Sequence, residues 1–246
     1  MEDKIFGTNP VLEALQAGRE IDKIFIQDGA RHSKLAQITA AAKKRGIRYT
    51  LVGKAKLDEL SEGGNHQGVL ALAAVRSYAE VEDILRLAED RNEKPFIIIA
   101  ENLSDPHNLG SIIRTANAAG AHGVIIPKNR SVGLTATVAK VAAGAIEHTL
   151  VARCTNVSVC IEKLKDKGLW IVGTALEGSM PIYDCDMNGA IGIVIGSEGE
   201  GMSRLTREKC DFLVKIPMLG KAESLNASVA AGVIMYEAVR QRTAKK

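Results

Sequence analysis

Ile191-Gly192-Ile193-Val194-Ile195-Gly196-Ser197-Glu198-Gly199-Glu200-Gly201 is the stretch on which the fold turns. Its first five residues are apolar and rich in β-branched side chains, the pattern of a strand buried on both faces. The run stops at glycines that enclose two carboxylates. Such a loop presents bare backbone that can lie close against a ligand. Phe212 to Ile216 repeats the theme, a second strand running into Pro217, Gly220 and a helix start at Ser224-Leu225-Asn226. Two strand ends that open into backbone-rich loops predict a site at the carboxyl edge of an open α/β sheet.

Outward from that stretch, strands alternate with helices. Strands are predicted at 96–100, 123–127 and 169–174, and helices at 79–90, 108–119, 135–145, 157–167 and 226–242. In the last helix Val229, Val233, Tyr236 and Val239 recur at helical spacing. The alternation predicts an α/β fold with a mostly parallel sheet covered on both faces. Before residue 76 a smaller α/β unit is expected. It has strands at 21–26, 47–52 and 69–75, helices at 33–45 and 54–60, and a first helix capped by Thr8 with Pro10 in its opening turn. The expected division is 1–76, a linker at 77–94, and 95–246.

Charge is unevenly placed. The formal net charge of the 246 residues is +3, and residues 1–76 hold 12 Lys/Arg against 9 Asp/Glu. The remainder is balanced, so the excess belongs to the first third. Arg31, Lys34, Lys43, Lys44, Arg45, Arg48, Lys54 and Lys56 follow one another with no acidic residue between. Such a block suits a phosphate-facing surface, although a solvated face of an ordinary domain reads the same way. The four cysteines show no C-x-x-C pair and the histidines no metal-ligand spacing, which predicts reduced thiols, no metal and a cytoplasmic protein. Neither a signal peptide nor an apolar run near the ~20 residues of a membrane span is expected. G-x-G-x-x-G after a strand, a P-loop and G-x-S-x-G are all missing, which argues against dehydrogenase, NTPase and esterase chemistry.

Candidate polar residues gather in Asn102-Leu103-Ser104-Asp105-Pro106-His107-Asn108-Leu109-Gly110-Ser111-Ile112-Ile113-Arg114-Thr115-Ala116. Here a strand ends, a rigid Asp-Pro turn follows and a helix begins. Asn108 falls at the helix start, where its amide can cap or hold a ligand. Arg114 is the single charge between Asp105 and Lys128. It either serves a site or merely covers apolar surface with its stem. Glu198 is an exposed turn carboxylate or a partner for Arg114. Asn226 is a helix cap, a site residue, or both. His107 lacks a carboxylate placed nearby by sequence and ranks below these.

The segments Asp105–Ala116, Ile195–Gly201, and Ile216-Pro217-Met218 leading to Ser224-Leu225-Asn226-Ala227-Ser228-Val229-Ala230 together resemble the three motifs of the SpoU branch of the SPOUT RNA 2′-O-methyltransferases. The front part, with Phe6-Gly7-Thr8-Asn9-Pro10, resembles the substrate-binding domain of the bacterial enzymes that methylate a guanosine 2′-hydroxyl in 23S ribosomal RNA. The resemblance covers nearly the whole chain. Ala227, where relatives often carry Val, is one departure, expected to touch packing more than chemistry.

The resemblance implies an L30e-like RNA-binding domain over 1–76 and a methyltransferase domain over 95–246 whose chain passes through a deep trefoil knot. It implies S-adenosylmethionine as cofactor, with Gly196, Ile216 and Leu225 supplying backbone contacts and Thr174, Ala175 and Gly201 beside them. It implies Arg114 as the catalytic arginine, positioned with Asn108, Glu198, Ser224 and Asn226. Further implications are a homodimer with a site completed across the interface, and ribosomal RNA as substrate met by Arg31, Lys34, Lys43, Lys44, Arg45 and Arg48. A tRNA guanosine 2′-O-methyltransferase and a non-catalytic RNA-binding ribosome-assembly factor remain open as alternatives.

Overall fold

A computed structural model describes residues 3–30, 33–175, 180–197, 199 and 201–244, in two compact units. The first comprises 1–77 with 133–137, the second 78–132 with 138–246.

In the first unit, β1 (Asp3–Phe6), α1 (Thr8–Gln16), β2 (Ile21–Gln27), α2 (Ser33–Lys44), β3 (Tyr49–Val52), α3 (Lys54–Leu60) and β4 (Val69–Ala73) follow in order. They form a four-stranded sheet, β1-β4-β2-β3. β4 runs antiparallel to both its neighbours, and β2 pairs parallel with β3. The core joins Val11 and Leu15 of α1, Ile24 and Ile26 of β2, Leu35 and Ile38 of α2, and Val69 and Ala71 of β4. α1 starts differently from the sequence expectation. Gly7, at φ 97°, is its N-cap, and the left-handed turn there leaves Thr8 inside the helix. The Thr8 N–H and hydroxyl both donate to Gln67 Oε1, at 3.1 and 3.0 Å.

The second unit contains α4 (Val81–Asp90), β5 (Phe96–Ala100), α5 (Pro106–Ala118), β6 (Gly123–Pro127), α6 (Ala136–Ala142), β7 (Leu150–Cys154), α7 (Val157–Asp166), β8 (Trp170–Thr174), β9 (Met180–Pro181), β10 (Ile191–Ile195), α8 (Arg204–Lys209), β11 (Phe212–Lys215) and α9 (Ala227–Thr243). α6 begins in the segment grouped with the first unit. Seven strands make one sheet, β7-β6-β5-β10-β8-β11-β9, and every pairing is parallel. β5, β6 and β10 are buried at every position, as their unbroken apolar runs require.

The stretch 77–94, expected as a linker, carries α4. A capping box between Glu80 and Asp83 starts this helix, and its Ile84 is buried in the core of the second unit. β1, β7, β9 and α8 were not expected from sequence. β7 is short and interrupted by Arg153, whose guanidinium stacks 3.9 Å from the Tyr78 ring centroid. The last helix is fastened near its end. Arg242 donates to the carbonyls of Met187, Gly189, Lys94 and Pro95 and lies over the Phe96 ring.

Candidate active site

The strand order places β10, β8 and β11 side by side, so their carboxyl ends form one edge. A crevice of about 440 Å³ opens there, within the size range of cofactor sites. Thr174 and Ala175 leave β8, Ile195 and Gly196 leave β10, and Val214 to Ile216 leave β11. Ser224, Leu225, Ala227, Ala230 and Ile234 close it from the start of α9. Thus Thr174, Ala175, Gly196, Gly201, Ile216, Leu225 and Ser224, all named from sequence, line a single cavity. Ala227 lines it too, so this departure shapes the crevice wall as well as packing.

The glycines have a physical reason. Ser197 and Gly201 pair across the bend through two backbone bonds, Ser197 N–H to Gly201 O at 3.1 Å and Gly201 N–H to Ser197 O at 3.0 Å. That reversal folds the chain back onto Gly196. A Cβ there would meet the Gly201 carbonyl carbon at 2.3 Å and the Met202 nitrogen at 2.4 Å. Gly199 and Gly201 hold φ of 85° and 66°, a region that favours glycine. Glu198 lies outside the described residues.

Asp105, not Asn108, caps α5, its carboxylate accepting the His107 N–H at 2.9 Å with Pro106 as the first helical residue. Asn108 is therefore available for a longer reach. It is buried in the first turn, and its Oδ1 accepts from Asn226 Nδ2 at 2.9 Å. Asn226 does two things at once. Its Oδ1 accepts the N–H groups of Ser228 and Val229 and so caps α9, while its Nδ2 ties that cap to α5. Arg114 is exposed on α5 and does not line the crevice of its own chain.

Sequence reasoning missed Met202, Arg207, Met218 and Glu223 in the lining. Arg207 stands on α8, a six-residue polar helix without readable periodicity. Burial pushes the nearby Cys210 thiol up to about 12 and raises that of Cys185, so neither is a ready thiolate nucleophile. Among the described residues no group of acidic, histidine and cysteine side chains is arranged to hold a metal, and no helix is long and apolar enough to cross a membrane.

In the first unit the basic block is divided. Lys34 opens α2 and donates to Asn9 Oδ1, while Lys43 and Lys44 stand at the other end of that helix, roughly 14 Å away at 1.5 Å per residue. Arg45 is occupied: its guanidinium donates to the carbonyls of Leu15, Gly18 and Arg19, closing the C-terminus of α1. Arg48 sits near Lys23, which the sequence reading did not name. Burial, then the like charge of Arg48, holds the Lys23 ammonium below its usual range. Two cations pressed together suit a phosphate. Arg31 lies outside the described residues.

A parallel α/β unit with a backbone-lined crevice at its carboxyl edge, preceded by a small mixed-sheet unit, defines the class of protein. The profile of the SpoU rRNA Methylase family matches residues 95–236, and that of the RNA 2′-O ribose methyltransferase substrate-binding domain matches residues 4–79. The chain belongs to the SpoU family of RNA methyltransferases, whose activity is ribose 2′-O-methylation from S-adenosylmethionine. It is 50% identical over 98% of its length, and 96% of the relative's, to YacO of Bacillus subtilis, named for the TrmH family of tRNA/rRNA methyltransferases. Among solved structures it resembles an rRNA methyltransferase from Sinorhizobium meliloti, with 25% identity, a TM-score of 0.61 and coverage of 98% of this chain and 88% of that one. It also resembles the A. aeolicus TrmH/SpoU tRNA modifying enzyme, with 30% identity, a TM-score of 0.57 and coverage of 65% of this chain and 83% of that one.

Proposed function

We propose that the crevice binds S-adenosylmethionine and that the protein methylates a guanosine ribose 2′-hydroxyl in large-subunit (23S) ribosomal RNA. The observation that carries this reading is the meeting of Gly196, Ile216 and Leu225 in one cavity, with Asn108 bonded to Asn226. The lining fits such a donor. Ile195, Ile216, Leu225 and Ile234 offer apolar walls, and the glycine bend offers close backbone. When bound, S-adenosylmethionine supplies a methyl group on a sulfonium centre.

The chain's own residues must then align a ribose hydroxyl and stabilise the charge that develops on its oxygen. Arg114 is the residue for this. A guanidinium donates hydrogen bonds and accepts none, so it stabilises the 2′-oxyanion or clamps a neighbouring phosphate rather than taking the proton. Asn108 and Asn226 hold the start of α9 in place, Ser224 faces the bound molecule at the rim, and Glu198 orients Arg114. Because Arg114 lies off the crevice of its own chain, the complete site takes it from a second copy. An exposed face on α9 with Val229 and Tyr236 supports a homodimer.

Ribosomal RNA is favoured over tRNA because the first unit has a counterpart in the rRNA methyltransferase, which aligns with nearly the whole chain, while the tRNA enzyme aligns with two thirds of it. The presence of Asn108, Arg114 and Asn226 together favours an active enzyme over a non-catalytic assembly factor, and four free cysteines suit the cytoplasm. The test is transfer of radiolabelled methyl from S-adenosylmethionine to unmodified 23S rRNA and to bulk tRNA, with ribose methylation mapped afterwards. A single guanosine 2′-O-methyl mark in the rRNA is expected. Labelling confined to tRNA, or none at all, overturns the assignment.

A further inference from the structure

Glu101 follows β5 directly, and only 4% of its surface is exposed. A carboxyl group this far from water needs partners. It has them on a segment a hundred residues away in sequence. Oε2 accepts the Ser203 backbone N–H at 3.0 Å, and Oε1 accepts the Thr206 hydroxyl at 2.7 Å. Thr206 is fully buried, and its oxygen accepts in turn from Ser203 Oγ at 2.9 Å. Ser203 is the N-cap of α8. The carboxyl group therefore grips the first turn of a six-residue helix whose far end is tied to α7 through Lys209, by its ion pair with Glu162 and its carbonyl's bond from Lys165. Its backbone is engaged as well, since the Glu101 N–H donates to Ile195 O at 2.8 Å, one residue before Gly196.

One side chain thus joins two parts of the site. On one side is the strand that feeds the Asn108–Arg114 helix. On the other is the chain leaving the glycine bend, where Gly201, Met202 and Arg207 line the crevice on either side of the anchored Ser203–Thr206 turn. We infer that Glu101 is a positioning residue for the cofactor: it fixes α8 so that Met202 and Arg207 form the crevice wall. It touches neither the donor nor the reacting atoms. Its influence falls on donor affinity and leaves the transfer step unchanged once the site is full. This inference rests on the reading of the crevice as the S-adenosylmethionine site.

The test uses the full chain, calorimetric titration with S-adenosylmethionine, and methyl transfer at saturating donor. In Glu101→Gln one oxygen still accepts from Ser203, but an amide N–H now faces the Thr206 hydroxyl. Kd for the donor is expected to rise about tenfold, the scale of one bond to a charged group, with kcat within about twofold of wild type. Thr206→Val should match it, Thr206→Ser should behave as wild type, and the double variant Glu101→Gln/Thr206→Val should be no worse than either single one. A wild-type Kd in Glu101→Gln overturns the inference, and so does a fall in kcat without a change in Kd. Should Glu101→Gln fail to fold, Thr206→Val decides, and a wild-type Kd there, or a Thr206→Ser equally impaired, overturns the inference. Wild-type protein that binds no donor overturns the assignment of the crevice instead.

Discussion

In the second unit, residues far apart in sequence are drawn together: Asn108 bonds Asn226 across 118 positions, and three strand ends empty into one crevice. In the first unit, cations that share one run of sequence are spread apart. Lys34 and Lys43 occupy opposite ends of α2, and Arg45, next to Lys44, is engaged by the carbonyls that end α1. A motif that does chemistry must converge on an atom. A surface that meets a phosphate backbone need only present charge over an area, because such contacts position a nucleic acid without reading it. The same density of conspicuous residues therefore means different things in the two units. A run of cations cannot be read as a patch until the helix that carries it is drawn.

Substitutions at five places test that contrast. The largest effect is expected from Arg114→Ala. Methyl transfer in single-turnover assays should fall roughly 10²–10³-fold, the scale of losing one preorganised donor, while calorimetric donor binding stays as in wild type. Full turnover would remove Arg114 from the site. Gly196→Ala comes next, because its methyl would have to enter the Gly201–Met202 backbone. Overpacking of this kind costs about 1–3 kcal/mol, seen as a lower Tm, and donor binding should weaken more than tenfold.

Asn226 permits a separation of cap from link. Asn226→Ala should lose about 1 kcal/mol of stability along with activity, whereas Asn226→Ser should keep the cap and the Tm but still lose activity, having no amide to give Asn108. Wild-type activity in Asn226→Ser would show that the link to α5 is idle.

In the first unit, Lys43→Glu with Lys44→Glu should lower stability by only about 1 kcal/mol, the scale of charge set against a helix C-terminus. It should flatten the dependence of log K for RNA on log salt by about 0.7–0.9 for each phosphate left without its cation. Arg45→Ala should do the reverse, costing stability through three abandoned carbonyls with little change in salt slope. An unchanged slope in the Lys43/Lys44 variant would make that end of α2 plain solvated surface. The smallest effect concerns acid. Burial holds the His122 imidazole below its usual range, with Nδ1 accepting the Phe96 N–H and Nε2–H facing Glu93. The fold thus favours the neutral ring. Its contribution is complete above about pH 6.5 and is lost as pH falls below that value, by no more than ~1.4 kcal/mol per unit. Tm should drop below pH 6.5 in wild type and less steeply in His122→Gln.

What could be read in advance follows from the range of the forces involved. β5, β6 and β10 are continuous apolar runs ended by turn residues, and their limits match the expectation to the residue. The loops that line the crevice were legible because glycine and proline mark them locally. β7 was not, since Leu150–Cys154 is split by Arg153 and borrows its order from a neighbouring strand. α8 was hidden for a sharper reason: its first turn is held by Glu101, and no local window contains both. Arg207 was lost with it. The Asp105 cap, by contrast, lies within reach of sequence reasoning, because Asp followed by Pro marks a helix start as well as a turn.

The pairing of Ile191 with Phe96 at the centre of the parallel sheet bears on the protein's birth. Every strand of the first sheet has been translated by Ala73, but the crevice needs β10, β11 and the start of α9. At 5–20 residues per second, on the order of ten seconds separate the two events. During that interval the nascent polypeptide carries all four strands of its first sheet and no crevice.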